Sequence, residues 1–238
     1  MNAVIDAAGA GLELGQVERL PQRQALADDV YEAINGLLMD SIIAPDARIT
    51  IDTLARQLGV SPTPVREALA RLESDGLVVK QGLRGYFATP RLSLDEMKDM
   101  YQLRLLLEPW AAGRAAERAN ASGKQSLSEE LRTLPAAPRQ PDYAHMKAMS
   151  THDARFHELI LELAGNEFVR QSFQRSHCHL HIFRLQYGKS ATTIAASAAV
   201  HEHKVIAAAI RKADAAAAEE SMRQHLALSR DRIVAVFD

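Results

Sequence analysis

The chain has 238 residues, 47% of them hydrophobic and 24% charged, with a formal net charge of −2. That balance describes a globular protein with enough apolar mass for a sizeable core, and excludes a globally basic nucleic-acid or membrane binder, though not a local basic patch. Aromatic residues at 5%, with 12 Gly and 9 Pro, argue against an all-β sandwich.

The length predicts two domains, or one domain with a smaller attachment. The single cysteine, Cys178, rules out an intrachain disulfide and fits a reducing compartment. No apolar run approaches the roughly 18 residues of a membrane span. The N-terminal stretch carries Asp6 and Glu13 and lacks the basic flank of a signal peptide. The expected location is therefore cytoplasmic, with no membrane partner.

Residues 1–22 have small side chains and no sustained period, and read as a flexible tail. Leu26, Val30, Ile34, Leu37 and Leu38 then recur at helical spacing, up to the turn signal Ala44-Pro45-Asp46. Arg48-Ile49-Thr50 suits a short strand. A helix over about 51–58 ends at Gly59, another follows Val60-Ser61, and two β-prone pieces, Leu77–Lys80 and Tyr86–Thr89, flank a glycine-punctuated hairpin. Pro90 to Ser93 marks a boundary between a domain over 23–91 and one over 93–238. Ser93 and Glu96 have the spacing of a capping box that opens a new helix. Helices are expected over 94–107, 109–120, 126–134, 142–164, 167–187, 192–212 and 214–236, with a Pro-rich connection at Pro135–Pro141. The predicted fold is mainly α: an N-terminal winged helix-turn-helix followed by an all-α antiparallel helical bundle.

The helix-turn-helix is carried by Leu54 to Leu72. Leu54, Ala55 and Leu58 form one inner face. Gly59 permits the positive φ of a tight turn, and Val60 fills the gap between the helices. Ser61 is placed to cap the second helix, with Pro62 at its first position, where a missing N–H costs nothing. Val65, Ala68, Leu69 and Leu72 make its buried stripe. Thr63 and Arg66 are left facing outward, with Arg71 further along. An Arg there suits bidentate contact with guanine in the major groove, while Lys80 and Arg84 on the hairpin suit flanking phosphates. Residues 54–91 hold six basic and three acidic side chains, a local excess of +3.

The run Leu58–Val78, followed by Arg84-Gly85, resembles the GntR transcription regulators. The resemblance implies binding to a double-stranded operator as a homodimer, with Ser61, Thr63, Arg66, Arg71, Lys80, Arg84 and Gly85 at the DNA. Where the family usually places an Arg between the Ser and Thr of this motif, the chain has Pro62.

All nine histidines lie at or after His145. Asp153 and His157 are one helical turn apart on the face that carries Phe156 and Ile160. His203 shares a face with Ile206 and Ile210, and His225 with Ala218 and Met222. A carboxylate directed into an apolar surface needs compensation. Residue 214 lies midway between His203 and His225, so a helical hairpin turning there sets the two level. Asp153, His157, His203 and His225 could then converge on one ion, and imidazole with carboxylate suits Zn²⁺, Ni²⁺, Mn²⁺ or Fe²⁺. Each His taken alone is more often a hydrogen-bonded core residue.

The segment Tyr101–Pro109, the D-x-x-F-H run at Asp153–His157, and then Glu202-His203 and His225 resemble the all-helical FCD effector domain of FadR-type GntR regulators. The resemblance implies that these four residues hold a divalent metal ion, with Zn²⁺ or Ni²⁺ foremost, and that a small carboxylate effector binds beside or on it. Arg104 matches an Arg that points to the same cavity. It equally suits an ion pair with Glu108. Among His177, His179 and His181, only His177 and His181 share a helical face, which leaves open a second metal site, a place in the cavity, or neither.

The expected function is a DNA-binding transcription regulator, repressor or activator, controlled by a small carboxylate at a metal-containing cavity, and not an enzyme. The alternatives are a regulator that responds to the metal ion itself, or a metal-dependent hydrolase. For the latter, Glu158 and Glu162, the available bases, lie off the ligand face.

Overall fold

The computed structural model describes residues 22–40, 42–133, 143–186, 192–235 and 237. The expected tail, apart from Gln22, and the Pro135–Pro141 connection lie outside them. Helix α1 (Gln22–Met39) buries Val30, Ile34 and Leu38, the row that a period of 3.6 directs to one side, while Leu26 remains half-exposed. The turn at Asp46, with φ of 63°, leads to strand β1 (Arg48–Ile49).

Helix α2 (Ile51–Leu58) ends at Gly59, whose φ is 68°. The Val60 N–H reaches back to the Ala55 carbonyl at 2.9 Å, the closure that a left-handed glycine allows at a helix C-terminus. Helix α3 (Pro62–Ser74) buries Val65, Ala68, Leu69 and Leu72 completely. Ser61 has the extended backbone of an N-cap, but its hydroxyl makes no capping bond. A capping oxygen accepts from the second or third helical N–H. The third residue here is Pro64, which has none.

Strands β2 (Val78–Lys80) and β3 (Tyr86–Ala88) flank a 3-10 turn at Gly82–Arg84. The sheet order is β1-β3-β2, all antiparallel, with Ile49 opposite Tyr86 and Val78 opposite Ala88. Gly85 closes the hairpin at φ 93° and ψ −157°, a region open to glycine alone.

Helix α4 (Leu94–Arg118) opens with the expected capping box: the Glu96 carboxylate accepts from the Ser93 N–H at 2.8 Å, and the Ser93 hydroxyl accepts from the Glu96 N–H. It runs unbroken through Pro109, where the sequence suggested two helices. Pro109 is buried, and packing of α4 against its neighbours outweighs the one hydrogen bond lost. Helix α5 (Ala121–Glu130) starts earlier than expected because Asn120 caps it, its side chain accepting from the Gly123 N–H at 2.9 Å.

Helices α6 (Tyr143–Ala164), α7 (Glu167–Arg175), α8 (Cys178–Gln186), α9 (Thr192–Arg211) and α10 (Ala215–Val234) complete the bundle. The single helix expected over 167–187 is broken at His177, which takes a left-handed φ of 48°. Helix α4 packs against α6, α9 and α10. The buried apolar side chains form two clusters, one in the winged region and one in the bundle, and Phe183 of α8 belongs to the winged one. No described helix is long and apolar enough to cross a membrane.

Candidate metal centre and nucleic-acid face

Helix α6 carries Asp153 and His157 one turn apart, and the α9–α10 hairpin brings His203 and His225 level, with ring centroids 4.8 Å apart. One donor atom from each of the four lies within 4.8 Å of every other. His203 Nε2 is 3.4 Å and His157 Nε2 3.7 Å from Asp153 Oδ1, and the Nε2 atoms of His157 and His225 are 3.3 Å apart. Two donors held about 2.1 Å from one ion lie at most about 4.2 Å apart, so the widest pair needs to close by only about 0.6 Å. The three imidazoles are almost wholly buried, and the Asp153 side chain keeps 28% exposure.

The outward nitrogens explain why the inward ones converge. His157 Nδ1 faces the Glu108 carboxylate of α4. His225 Nδ1 faces Glu202 of α9 at 2.7 Å. His203 Nδ1 meets His152 Nε2 at 3.3 Å, and His152 Nδ1 in turn meets Glu130 at 2.9 Å. Since a carboxylate only accepts, Nδ1 of His157, His225 and His152 carries the proton; the neutral His152 then accepts at Nε2 from His203 Nδ1, and the Nε2 lone pairs of His157, His203 and His225 face inward. The Phe156 ring stacks on His203 with centroids 4.1 Å apart. His203 Nε2 is buried with no hydrogen-bond partner, which is costly unless something else satisfies the lone pair.

The electrostatics match. Burial pushes the His157 imidazolium down to about 3 and lowers that of His225, so both rings are neutral near pH 7. Burial alone would raise the Glu108 carboxyl, yet Arg104 and His157 beside it hold it well below the usual range. Burial likewise opposes charge on Glu202, and hydrogen bonds from His225 and Arg232 hold it down at about 2. Neutral imidazoles with ionised carboxylates are the protonation state that a divalent ion requires.

On the winged region, Ser61, Thr63, Arg66, Lys80 and Arg84 are all exposed. Arg84 lies over the Phe87 ring and Lys80 over Tyr86. Arg71 is otherwise engaged: its guanidinium pairs with Asp28 of α1 and lies 4.5 Å from the Tyr31 ring centroid. It ties α3 to α1 instead of standing free.

The FCD domain family matches residues 99–228, and the bacterial regulatory protein gntR family matches residues 18–87. The chain belongs to the GntR transcription regulators with an FCD domain. It is similar to the HTH-type transcriptional regulator YdhC of Bacillus subtilis, at 27% identity over 82% of this chain and 85% of that one. It is also similar to the HTH-type transcriptional repressor RspR of Escherichia coli, at 23% identity over 87% and 89%. The solved structure of E. coli McbR/YncC shares the fold, with a TM-score of 0.65, 18% identity, and 90% of this chain and 99% of that one covered.

Within this GntR/FCD chain, the four residues singled out in the sequence come together, and Arg104 takes the alternative role. It is buried, with Nε 2.5 Å from Glu108, one turn on. His179 is the histidine of its group that reaches the centre, its Nδ1 2.9 Å from Asp153 Oδ2. His177 lies against Gly76. Among the described residues, the four-residue group is the one set of three or more candidate ligands with metal-ligand geometry, and neither His177 nor His181 belongs to it. Glu158 is held by Arg170 and Gln174. Sequence reasoning missed His152, Glu130 and the outer role of Glu202. The available signal was position, since His152 and Glu202 directly precede the inner residues Asp153 and His203.

Proposed function

We propose that this GntR/FCD regulator binds its operator as a homodimer and that a small carboxylate, taken up at a divalent metal ion held by Asp153, His157, His203 and His225, controls that binding. The convergence of four donor atoms whose outer partners are already fixed carries this conclusion. Zn²⁺ or Ni²⁺ suits three imidazoles and a carboxylate, with Mn²⁺ and Fe²⁺ next. When bound, the ion supplies a Lewis-acid anchor for an anionic ligand. Arg104, fixed on Glu108, adds positive charge behind the site. The partial exposure of Asp153 supports entry of a ligand from that side.

At the DNA, Thr63 and Arg66 read the major groove, Ser61 offers a hydroxyl free of any capping duty, and Lys80 and Arg84 meet phosphates. Gly85 shapes the wing that presents them. Operator half-sites require two recognition helices. The outward stripe of α4, with Leu106 at 75% and Trp110 at 39% exposure and Leu103 half-buried beside them, supports pairing with a second copy. The named relative RspR is a transcriptional repressor, which supports repression as the sense of regulation here, and an operator-binding regulator works in the cytoplasm.

The test is a gel-shift titration on DNA flanking the gene, with Zn²⁺ or Ni²⁺ and then a panel of small carboxylates. A carboxylate that changes operator affinity only with metal present supports the proposal. Release by metal alone assigns the signal to the ion. No specific fragment at any condition overturns it.

A further inference from the structure

Helix α8 joins the metal centre to the winged region. At its start, His179 Nδ1 meets Asp153 Oδ2 at 2.9 Å, and the His179 ring lies beside those of His157 and Phe173. A second face of the same helix reaches the winged region. Phe183 is buried in the winged apolar cluster, with Leu180 packed against the same cluster. The neighbouring Ile182 and Leu185 sit in the bundle cluster, so a single short helix is wedged into both cores.

Arg184 completes the connection. It is 4% exposed, and its Nη1 donates to Thr89 Oγ1 at 2.7 Å and its Nη2 to the Thr89 carbonyl at 2.7 Å. Thr89 Oγ1 in turn donates to the carbonyls of Gly76 and Leu77, the turn that leaves recognition helix α3. His177, at the head of α8, closes on the same turn, its Cδ2 3.1 Å from where a Cβ on Gly76 would stand. Among the described residues, the hydrogen bonds of Arg184 all go to neutral oxygens, and its buried Nε has no partner. Burial and the neighbouring Arg91 disfavour the Arg184 cation and outweigh the opposite charge of Asp46, a poor way to stabilise a fold. It suits a contact that is made in one arrangement and released in another.

Resting on the metal-centre reading above, we propose that α8 is the element that couples the centre to the DNA-binding region. His179 registers the position of Asp153, and the Arg184–Thr89 clasp passes a shift of α8 to the turn behind the recognition helix. When Asp153 turns its carboxylate to an ion, the His179 contact tightens or breaks, α8 moves as a rigid unit, and the two arrangements differ in operator affinity.

The experiment uses the full-length protein with Zn²⁺ or Ni²⁺ alone as the probe. Metal binding is followed by calorimetry, and hydrogen exchange over residues 76–90 is followed with and without metal, in the wild type, Arg184→Gln, Thr89→Val and Thr89→Ser. The wild type is expected to bind metal and to change exchange over 76–90 by severalfold. Arg184→Gln and Thr89→Val are expected to bind metal within about twofold of the wild type and to lose that change. Thr89→Ser, which restores the hydroxyl, is expected to recover it. Should Arg184→Gln fail to fold, the Thr89 pair decides. Metal binding with no change over 76–90, or a change that survives loss of the clasp, overturns the coupling and leaves the metal centre standing. A wild type that binds neither ion overturns both.

Discussion

The Nε2 atoms of His157 and His225 face each other at 3.3 Å, and each ring's other nitrogen is already held by a carboxylate. With both Nδ1 atoms protonated, two buried lone pairs point at one another, and nothing in the pair itself relieves the repulsion. A cation between them does, and His203 and Asp153 stand where they can share it.

Glu108 serves two donors at once, the Arg104 guanidinium and the Nδ1–H of the neutral His157 ring. Glu108→Gln leaves Arg104 buried without a counter-charge and loosens the His157 tautomer. Chemical denaturation is expected to show a loss of about 3–5 kcal/mol, and calorimetry a metal affinity weaker by roughly 10–100-fold.

Arg66 is exposed at the start of α3. Arg66→Ala is expected to leave the melting temperature unchanged and to weaken operator binding by about 1–3 kcal/mol, as read by fluorescence anisotropy. Arg71→Ala acts differently, because Asp28 and Tyr31 hold Arg71 within the domain. Its effect falls on stability, at about 1 kcal/mol or less for an exposed pair.

Gly85 has a φ of 93°. Gly85→Ala is expected to cost about 1–3 kcal/mol and to weaken binding to operator and to non-specific DNA alike, since it distorts the wing and removes no base contact.

The Tyr31 hydroxyl, raised above its ordinary pKa by burial and by its hydrogen bond to Asp75, gives a pH signature. A group whose folded pKa is raised contributes stability that is complete below the unfolded value and lost as pH climbs toward the folded one. Winged-domain stability is therefore expected to fall above about pH 10, and Tyr31→Phe to flatten that fall in a pH series of denaturation midpoints.

Leu106 stands 75% exposed on α4, with Trp110 a turn further along. Leu106→Glu is expected to shift the protein from dimer to monomer in sedimentation and to weaken operator binding at low protein concentration.

Much of this was legible in the chain. The i, i+4 spacing of Asp153 and His157 and the symmetric placement of His203 and His225 about residue 214 identify the cluster because helical geometry is local and regular. Gly59, Ser93 and the buried stripe of α3 are equally local. What escaped depends on tertiary contact. Pro109 ends a helix by propensity, but burial within the bundle carries α4 through it. The break at His177 follows no Gly or Pro, and the helices on either side both pack against α6. The carboxylates behind the histidines come from α4, α5 and α9, and no spacing rule reaches across helices. Ser61 reads as a cap by type, and the proline at the third helical position removes one of the two N–H groups it could accept from.

The most direct test of the central claim is the metal content of the purified full-length protein, measured by elemental analysis beside an Asp153→Ala/His203→Ala variant, before and after adding Zn²⁺ or Ni²⁺. One divalent ion per chain in the wild type, absent from the variant, is the predicted result. No ion in either protein after metal addition, or equal content in both, would contradict the account and return Asp153 and the three histidines to the hydrogen-bonded core.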